Sequence, residues 1–430
     1  MGEGAPVRVV VASDSFKGSL GSAEVADAVR LGLLDVEPAA SVVVLPVADG
    51  GEGTVAAALA SGWSGVTVGV HGPTGEPVSA TLALRRRGGH LTVVVEMADC
   101  CGLGRLPGGV PAPLTASSRG LGEALRAALD LGADRVVVGV GGSASTDGGA
   151  GLLAALGARP LDAEGHDLPD GGAALADLAR LDLSGLDPRL ATTRLVLAAD
   201  VDSPLLGPAG AAAVFAPQKG ATPDDVATLE AALTSWAGTV AAALPLPPAG
   251  TRSTNRSKLP QPERNPRGTR SPNWSILSQQ PGAGAAGGVG FALLAVLGAE
   301  HRSGVDVVLD LVGLDAALTR DLGDAGDDPG PGPRRADLVV TGEGALDDQT
   351  LAGKAVAGVA RRANAHGIPV VAVCGRLYLD PSALATLGVR SAYPLSDLEP
   401  DPERSRTNAP ELLRRTGRRV ARDWLSPAPG

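Results

Sequence analysis

The sequence predicts a protein of the α/β class, and three observations support this prediction. Short apolar runs typical of buried parallel strands recur along the chain, as in Val7–Ala12. The first two runs are each followed by a loop and then by a segment with helical spacing of apolar residues. Clusters rich in Gly and acidic residues stand where predicted strands end. Because ligands bind at the carboxyl ends of strands in such sheets, the same pattern predicts where the functional site lies.

The predicted elements change in character along the chain. Up to residue 65, strands at Val7–Ala12 and Ser41–Pro46 alternate with helices that begin at Ser22 and Val55. Beyond it, shorter alternating runs predict a meander in a second, mixed domain, at Val66–Val70, Ala80–Arg85 and Leu91–Glu96. Further helices are predicted at Gly120–Leu131 and Thr222–Ala243, and further strands at Arg135–Val140 and Arg194–Ala199. The last part resumes the first pattern, with elements at Gly288–Gly298, Ala336–Thr341, Gly353–Ala365, Ile368–Cys374 and Glu411–Leu425.

Residues 249–280 do not fit this organisation. They lack apolar periodicity, contain recurring Pro and carry six basic residues against one acidic residue. This composition predicts a disordered surface insertion. A basic arm for nucleic acid and a sequence artefact are the alternatives.

The composition allows a large core built from small apolar side chains. Of the 430 residues, 44% are hydrophobic but only 2% are aromatic, so Ala, Val and Leu must form the core. The formal net charge of −10 argues against nucleic acid and anionic membranes as partners, because an acidic surface repels both. The three cysteines, Cys100, Cys101 and Cys374, form no CxxC pair and predict reduced thiols in a cytoplasmic enzyme.

The loops combine three ingredients of phosphoryl transfer. Gly lets backbone N–H groups approach phosphate oxygens, and carboxylates can hold Mg²⁺ or accept a hydroxyl proton. Lys can neutralise charge on the transferring group. Of the 37 basic residues only four are Lys, and three of these, Lys17, Lys219 and Lys354, lie in motifs flanked by Gly or Asp. The pattern therefore favours a kinase.

Other nucleotide-binding motifs are weak or absent. A Walker A loop at Lys354 would need Gly where Asp348 stands and Ser or Thr where Ala355 stands. The Gly282–Gly287 stretch matches GxGxxG, but no predicted strand precedes it. Two rival hypotheses stay open: an NAD(P)-dependent oxidoreductase of hydroxy acids, and a silent ligand-sensing protein inactivated by residues 249–280.

Seven motifs together resemble the bacterial glycerate kinase family, of the glycerate 2-kinase type. In the family's order they are Ala12–Leu20, Pro46–Thr54, Gly139–Gly151, Ala199–Leu206, Ala216–Ala221, Pro281–Gly290 and Thr341–Lys354. The resemblance implies transfer of the ATP γ-phosphoryl group to a hydroxyl of D-glycerate, with Mg²⁺, giving 2-phosphoglycerate. It leaves the oligomeric state open.

The resemblance also implies a domain organisation and a set of site residues. A discontinuous, flavodoxin-like, doubly wound domain would comprise residues 1–65 and 299–430, and an inserted mixed α/β domain residues 66–298, with the active site in the cleft between them. The implied catalytic residues are Lys17, Asp200 as general base, Lys219 and Asp147. The implied substrate- and nucleotide-binding residues are Asp14, Ser15, Gly51, Ser143, Gly282, Gly284, Gly287 and Lys354. The implied metal ligands are Asp49, Glu52, Asp202, Glu343 and Asp347. For each Asp or Glu the alternative role is capping or turn formation.

Overall fold

The structure, a computed structural model, describes residues 6–244, 274–319, 335–351 and 353–425. Contacts divide these residues into two compact units. Unit 1 contains the chain up to Trp63 together with the chain from Gly304 onward, and unit 2 contains Ser64–Ser303. Each unit is built around its own sheet.

The strands and helices follow in chain order. Up to Trp63 they are β1 (Arg8–Ser13), α1 (Ser22–Val36), β2 (Ser41–Pro46) and α2 (Thr54–Ala60). In unit 2 they are β3 (Ser64–His71), β4 (Pro77–Arg87), β5 (His90–Glu96), α3 (Met97–Cys101), α4 (Arg119–Asp130), β6 (Arg135–Gly139), α5 (Ala150–Ala155), β7 (Arg159–Leu161), β8 (Arg180–Asp182), β9 (Arg194–Ala198), α6 (Ala211–Phe215), α7 (Pro223–Ala243), α8 (Trp274–Ser278), α9 (Ala285–Phe291) and β10 (Glu300–Arg302). From Gly304 onward they are α10 (Gly304–Val312), α11 (Leu314–Thr319), β11 (Leu338–Leu346), α12 (Asp348–Leu351), α13 (Ala355–Ala365), β12 (Val370–Leu377), α14 (Pro381–Leu387), β13 (Ser391–Pro394), α15 (Pro402–Thr407) and α16 (Ala409–Trp424).

Unit 1 contains a parallel five-stranded sheet in the order β2-β1-β11-β12-β13. This is the 2-1-3-4-5 order of flavodoxin-like sheets, with the strand order reversing between β1 and β11. The side chains of β1 alternate between two cores: Val9 and Val11 on one face, Val10 and Ala12 on the other. Burial on both faces explains why the strands read as continuous apolar runs.

Helices α1 and α16 approach closely on one face of this sheet. A Cβ on Gly32 would lie 2.0 Å from the Arg414 carbonyl oxygen, so only Gly allows the two backbones to meet. Beside this contact Asp35 accepts from the guanidinium groups of Arg414 and Arg418, each at 2.7 Å. The ion pairs join a helix near the start of the chain to the last described helix.

Unit 2 contains a mixed six-stranded sheet in the order β10-β9-β6-β5-β4-β3. Strands β3, β4 and β5 pair antiparallel, which confirms the predicted meander, and β5, β6, β9 and β10 pair parallel. One large core surrounds the sheet and includes the fully buried Trp236 of α7. The α/β class is therefore confirmed.

The segment predicted to be disordered is only partly described. Residues 249–273 lie outside the described residues, but Trp274–Ser278 forms the short helix α8. For these five residues the prediction is wrong, because Leu277 and Ser278 are buried against unit 2. No helix among the described residues is long and apolar enough to cross a membrane.

Candidate active site

A cavity of about 370 Å³ opens at the carboxyl end of the unit 1 sheet. Its walls come from the loops after β1 and β2, from the end of β11 and the residues that follow it, from the end of β12 and from the segment Leu395–Ala409. The neighbouring strands β1 and β11 mark the point where the strand order reverses, which is where open α/β sheets bind ligands. The topology and the cavity therefore indicate the same site.

The loop after β1 combines a buried carboxyl with an exposed ammonium. Asp14 is 8% exposed and accepts the Ser15 N–H at 2.6 Å. Burial raises the pKa of Asp14 to about 6, and the nearby charge of Asp49 adds to this. The Lys17 side chain is 78% exposed, and its Nζ lies 4.0 Å from Asp49 Oδ2. Buried Phe16 anchors the loop, so the backbone that carries the exposed Lys17 side chain is held in place.

The end of β11 supplies a second buried carboxyl. Glu343 is 6% exposed and accepts the hydroxyl of Thr350. Burial raises the pKa of Glu343 to about 7, and the charges of Asp14 and Asp347 add to this, whereas the ammonium of Lys354 opposes it. The cavity thus holds several carboxyls whose charges repel one another, an arrangement that a bound cation would stabilise.

These carboxyls fit Mg²⁺ only if phosphate and water complete its ligands. The described part of the chain has no group of three or more His, Cys, Asp or Glu placed to hold a metal. Mg²⁺ in kinases is commonly held by one or two carboxylates together with phosphate oxygens. Asp14, Asp49, Glu343 and Asp347 line the cavity and suit this mode. Glu52 is exposed and does not line it.

The loop around Gly51 is held by its own hydrogen bonds. The Gly51 N–H donates to Asp49 Oδ1 at 3.1 Å, and the Thr54 hydroxyl donates to the Gly51 carbonyl oxygen at 2.8 Å. These bonds orient Asp49, which lines the cavity. For Gly51 they favour a structural role, and its predicted ligand contact stays a prediction.

In unit 2, Asp147 lies at the centre of a buried hydrogen-bond network. It is fully buried and accepts from the Ser118 N–H and the Ser118 hydroxyl, both at 2.8 Å. It also accepts from the Gly149 N–H at 3.1 Å and the Gly151 N–H at 3.3 Å. Burial raises the pKa of Asp147, and these donors oppose that rise. The donors indicate that this carboxylate shapes the loop from β6 to α5.

Lys219 is buried beside the same loop. Its side chain is 2% exposed, and its ammonium donates to the Ser145 carbonyl oxygen. Burial lowers the pKa of Lys219 to about 7, although the charge of Asp147 opposes this. Within unit 2 this placement favours a structural role for Lys219 and Asp147. The catalytic roles expected for them stay predictions.

The glycine-rich stretch before β10 is packed against protein. A Cβ on Gly284 would lie 2.2 Å from the Pro204 carbonyl oxygen, and a Cβ on Gly287 would lie 2.2 Å from that of Ser145. Ala286 has a φ of 54°, and the next two residues are also left-handed, so α9 does not begin as a regular helix. Close backbone packing explains the need for Gly at positions 284 and 287. The ligand contacts implied for Gly282, Gly284 and Gly287 stay predictions.

The remaining predicted residues of unit 2 differ in exposure. Asp200 follows β9, is exposed, and accepts the hydroxyl of Ser303 at 2.8 Å. Asp202 is also exposed, whereas Ser143 is 7% exposed and forms a bridge with Gly102. Of the carboxylates predicted in unit 2, Asp200 and Asp202 are therefore the ones open to a ligand.

One wall of the cavity was not predicted. It comes from Leu395–Ala409, together with Gly375 and Arg376 at the end of β12. The segment is polar and Pro-rich and carries no recognisable motif. The signal that could have indicated it is positional: it follows the last strand of a doubly wound sheet, at the edge where ligands bind.

Comparisons with known proteins identify one family. The model of the glycerate kinase family matches residues 9–425. A glycerate kinase of Bacillus subtilis (strain 168) is 38% identical over 416 residues, 96% of this chain and 97% of that protein. A glycerate 2-kinase of Escherichia coli (strain K12) is 36% identical over 394 residues, 90% of each chain. The crystal structure of a protein provisionally named glycerate kinase 2, from Salmonella typhimurium LT2, aligns with a TM-score of 0.75 and 38% identity, covering 97% of this chain and 98% of that one.

Proposed function

Because the chain belongs to the glycerate kinase family, we propose that it phosphorylates D-glycerate with ATP and Mg²⁺, giving 2-phosphoglycerate. The observation that carries the proposal is the match over residues 9–425, together with a charged cavity at the point where the strand order reverses. The 2-position is supported by the name of the Escherichia coli relative, glycerate 2-kinase.

Lys17 and Lys354 are proposed to bind the phosphates of ATP. Both line the unit 1 cavity, and a phosphate there would be attracted by two ammonium groups. Mg²⁺, when bound with ATP, neutralises phosphate charge. Asp14 and Glu343, with Asp49 and Asp347, would hold it. Ser15, half-buried at the start of the same loop, would donate a hydroxyl to phosphate or to the glycerate carboxylate.

Asp200 is the proposed base. In the reaction the glycerate hydroxyl oxygen bonds to the γ-phosphorus while the bond from that phosphorus to the β–γ bridging oxygen breaks. ADP then leaves, and the hydroxyl proton passes to a carboxylate. Asp200 is exposed, and the Ser303 hydroxyl orients one of its oxygens at 2.8 Å. Asp147 is less suited, because its oxygens already accept from four donors in the interior.

The test is a coupled ADP-release assay with D-glycerate, ATP and Mg²⁺, in which phosphorus NMR identifies the product. Lys17→Ala and Asp200→Asn should each lower kcat/KM by about 10²-fold or more. Both side chains are exposed, so their unfolding midpoints should match the wild type. Asp177→Asn, at an exposed carboxylate of the same unit that is outside the predicted site, is the matched control for Asp200. Folded wild-type protein that releases no ADP in response to glycerate would refute the proposal.

Two further observations bear on the alternatives. The described element directly before the Gly282–Gly287 stretch is helix α8, not a strand. This argues against a dinucleotide site there, because such a site requires a strand first. The described cysteines are all free and buried, which supports the cytoplasmic location that forms part of this proposal. Nicotinamide fluorescence should accordingly stay unchanged when NADH is mixed with the protein.

A further inference from the structure

We infer that the segment Leu395–Ala409 forms the nucleoside subsite of the unit 1 cavity and holds the base and ribose of ATP. This inference rests on the proposed function, because it assigns one end of the same cavity to one part of a substrate. No sequence motif indicates this segment.

The two ends of the cavity differ in chemistry. The end between β1 and β11 carries Lys17 and Lys354 together with the buried carboxyls. The other end contains the buried apolar residues Leu395 and Ala409, each 1% exposed, and two prolines. A triphosphate suits the first end, and a flat, uncharged base suits the second.

Charge argues against an anion at the second end. Glu399 lines this end and would repel a carboxylate or a phosphate. The guanidinium of Arg406, which also lines it, is already paired with Glu403. The positive charge of Arg406 is thus partly compensated, so glycerate, a small anion, is not the ligand that this end selects.

Size and topology agree with a nucleotide. A volume of about 370 Å³ lies in the range of about 300–1,000 Å³ typical for ligands of drug size, more than a three-carbon acid requires. Sheets of this strand order bind a mononucleotide where the strand order reverses. A ligand whose phosphates lie at Lys17 would extend past the end of β12 to the segment after β13.

Helix α15 and the first residue of α16 form the floor of this subsite. Pro402, Ser405 and Arg406 line the cavity from one face of α15, at helical spacings of three and four residues, and Ala409 lines it from the start of α16. The Ser19 hydroxyl donates to the Arg406 carbonyl oxygen at 2.9 Å, which ties the loop that carries Lys17 to helix α15. The phosphate end and the nucleoside end are therefore held in one fixed arrangement.

The test introduces a bulky side chain at Ser405, which is half-buried and lines the cavity. Binding of Mg²⁺–ADP and of Mg²⁺–tripolyphosphate is measured by calorimetry for wild type, Ser405→Phe and the control Thr407→Phe. Thr407 is exposed on the same helix and does not line the cavity. Ser405→Phe should weaken ADP binding at least tenfold and leave tripolyphosphate binding unchanged. Thr407→Phe should change neither.

Several outcomes would overturn the inference: unchanged ADP binding in Ser405→Phe, equal weakening of tripolyphosphate, or a raised KM for glycerate with the KM for ATP unchanged. If Ser405→Phe does not fold, Ser405→Val replaces it, with Thr407→Val as its control. Ser405→Val should then weaken ADP binding at least threefold and leave tripolyphosphate binding unchanged. Turnover is assayed separately. Wild-type protein that binds ADP at this segment but does not phosphorylate glycerate would refute the proposed function and leave the subsite standing.

Discussion

Replacing Asp147 separates a structural from a catalytic role for this carboxylate. In Asp147→Ala the N–H groups of Ser118, Gly149 and Gly151 and the Ser118 hydroxyl all lose their acceptor inside unit 2. Each buried donor left without a partner costs about 1–3 kcal/mol. Some donors will regain water, so we expect a loss of about 3–5 kcal/mol in the free energy of unfolding. Asp147→Asn keeps one acceptor oxygen and should lose about half as much.

The assay is urea unfolding monitored by tryptophan fluorescence. Trp236 is fully buried, and its Nε1 donates to the Gly148 carbonyl oxygen at 2.9 Å, so its emission reports on the loop that Asp147 holds. Subtracting the signal of Trp236→Phe isolates this contribution. Asp177→Ala, an exposed carboxylate of the same unit, is the control and should change stability by less than about 0.5 kcal/mol.

Activity completes the test. If Asp147 only holds the loop, Asp147→Asn should keep a kcat within about tenfold of the wild type under conditions where it is fully folded. A variant as stable as the Asp177→Ala control, with turnover lost by orders of magnitude, would refute the structural interpretation and restore Asp147 as a candidate base.

Two further predictions concern burial and close packing. The pKa of Lys219 is lowered to about 7 when folded, so between about pH 7 and pH 10 the unfolded chain binds the extra proton. The free energy of unfolding of the wild type, measured relative to that of Lys219→Met by urea titration, should therefore be larger at pH 9 than at pH 6.5. An unchanged difference would mean that Lys219 stays charged in the fold. Gly32→Ala should destabilise by about 1–3 kcal/mol, since its Cβ would meet the Arg414 carbonyl oxygen. Gly238→Ala on α7, where a Cβ meets no atom within 4 Å, should instead stabilise slightly. Equal thermal shifts for the two Ala variants would contradict this reasoning.

The half of the site that follows β1 and β11 could be predicted from the sequence. The Val-rich strand β1 ends directly before Asp14, and Glu343 lies near the carboxyl end of β11. Parallel strands bring such ends to one edge of the sheet. The residues alone do not show which strands are neighbours, and the flavodoxin-like order is expected only from the family resemblance. The wall from Leu395 to Ala409 reaches the cavity only because β13 pairs at the edge of the sheet, and its own residues show no motif.

For Lys219 and the glycine-rich stretch, the sequence alone does not distinguish a phosphate site from close packing. A Lys or a Gly next to an acidic loop is typical of phosphate sites, but the same residues serve where side chains are buried or backbones touch. Burial of Lys219 follows from long-range packing between the loop after β6 and the turn before α7. Local sequence does not show that these two segments pack against each other.

The centre of the unit 1 sheet joins strands from distant parts of the chain, and this bears on how the protein is made. Val9 of β1 pairs with Leu338 of β11. On the ribosome, β1 and β2 therefore emerge long before their partner, and all of unit 2 is synthesised in the interval. Until β11 arrives, one edge of β1 has no strand to pair with, and unpaired edges promote aggregation. A polypeptide that stops before β11 carries Asp14 and Lys17 but cannot form the cavity. Completion of translation is thus itself a condition for building the site.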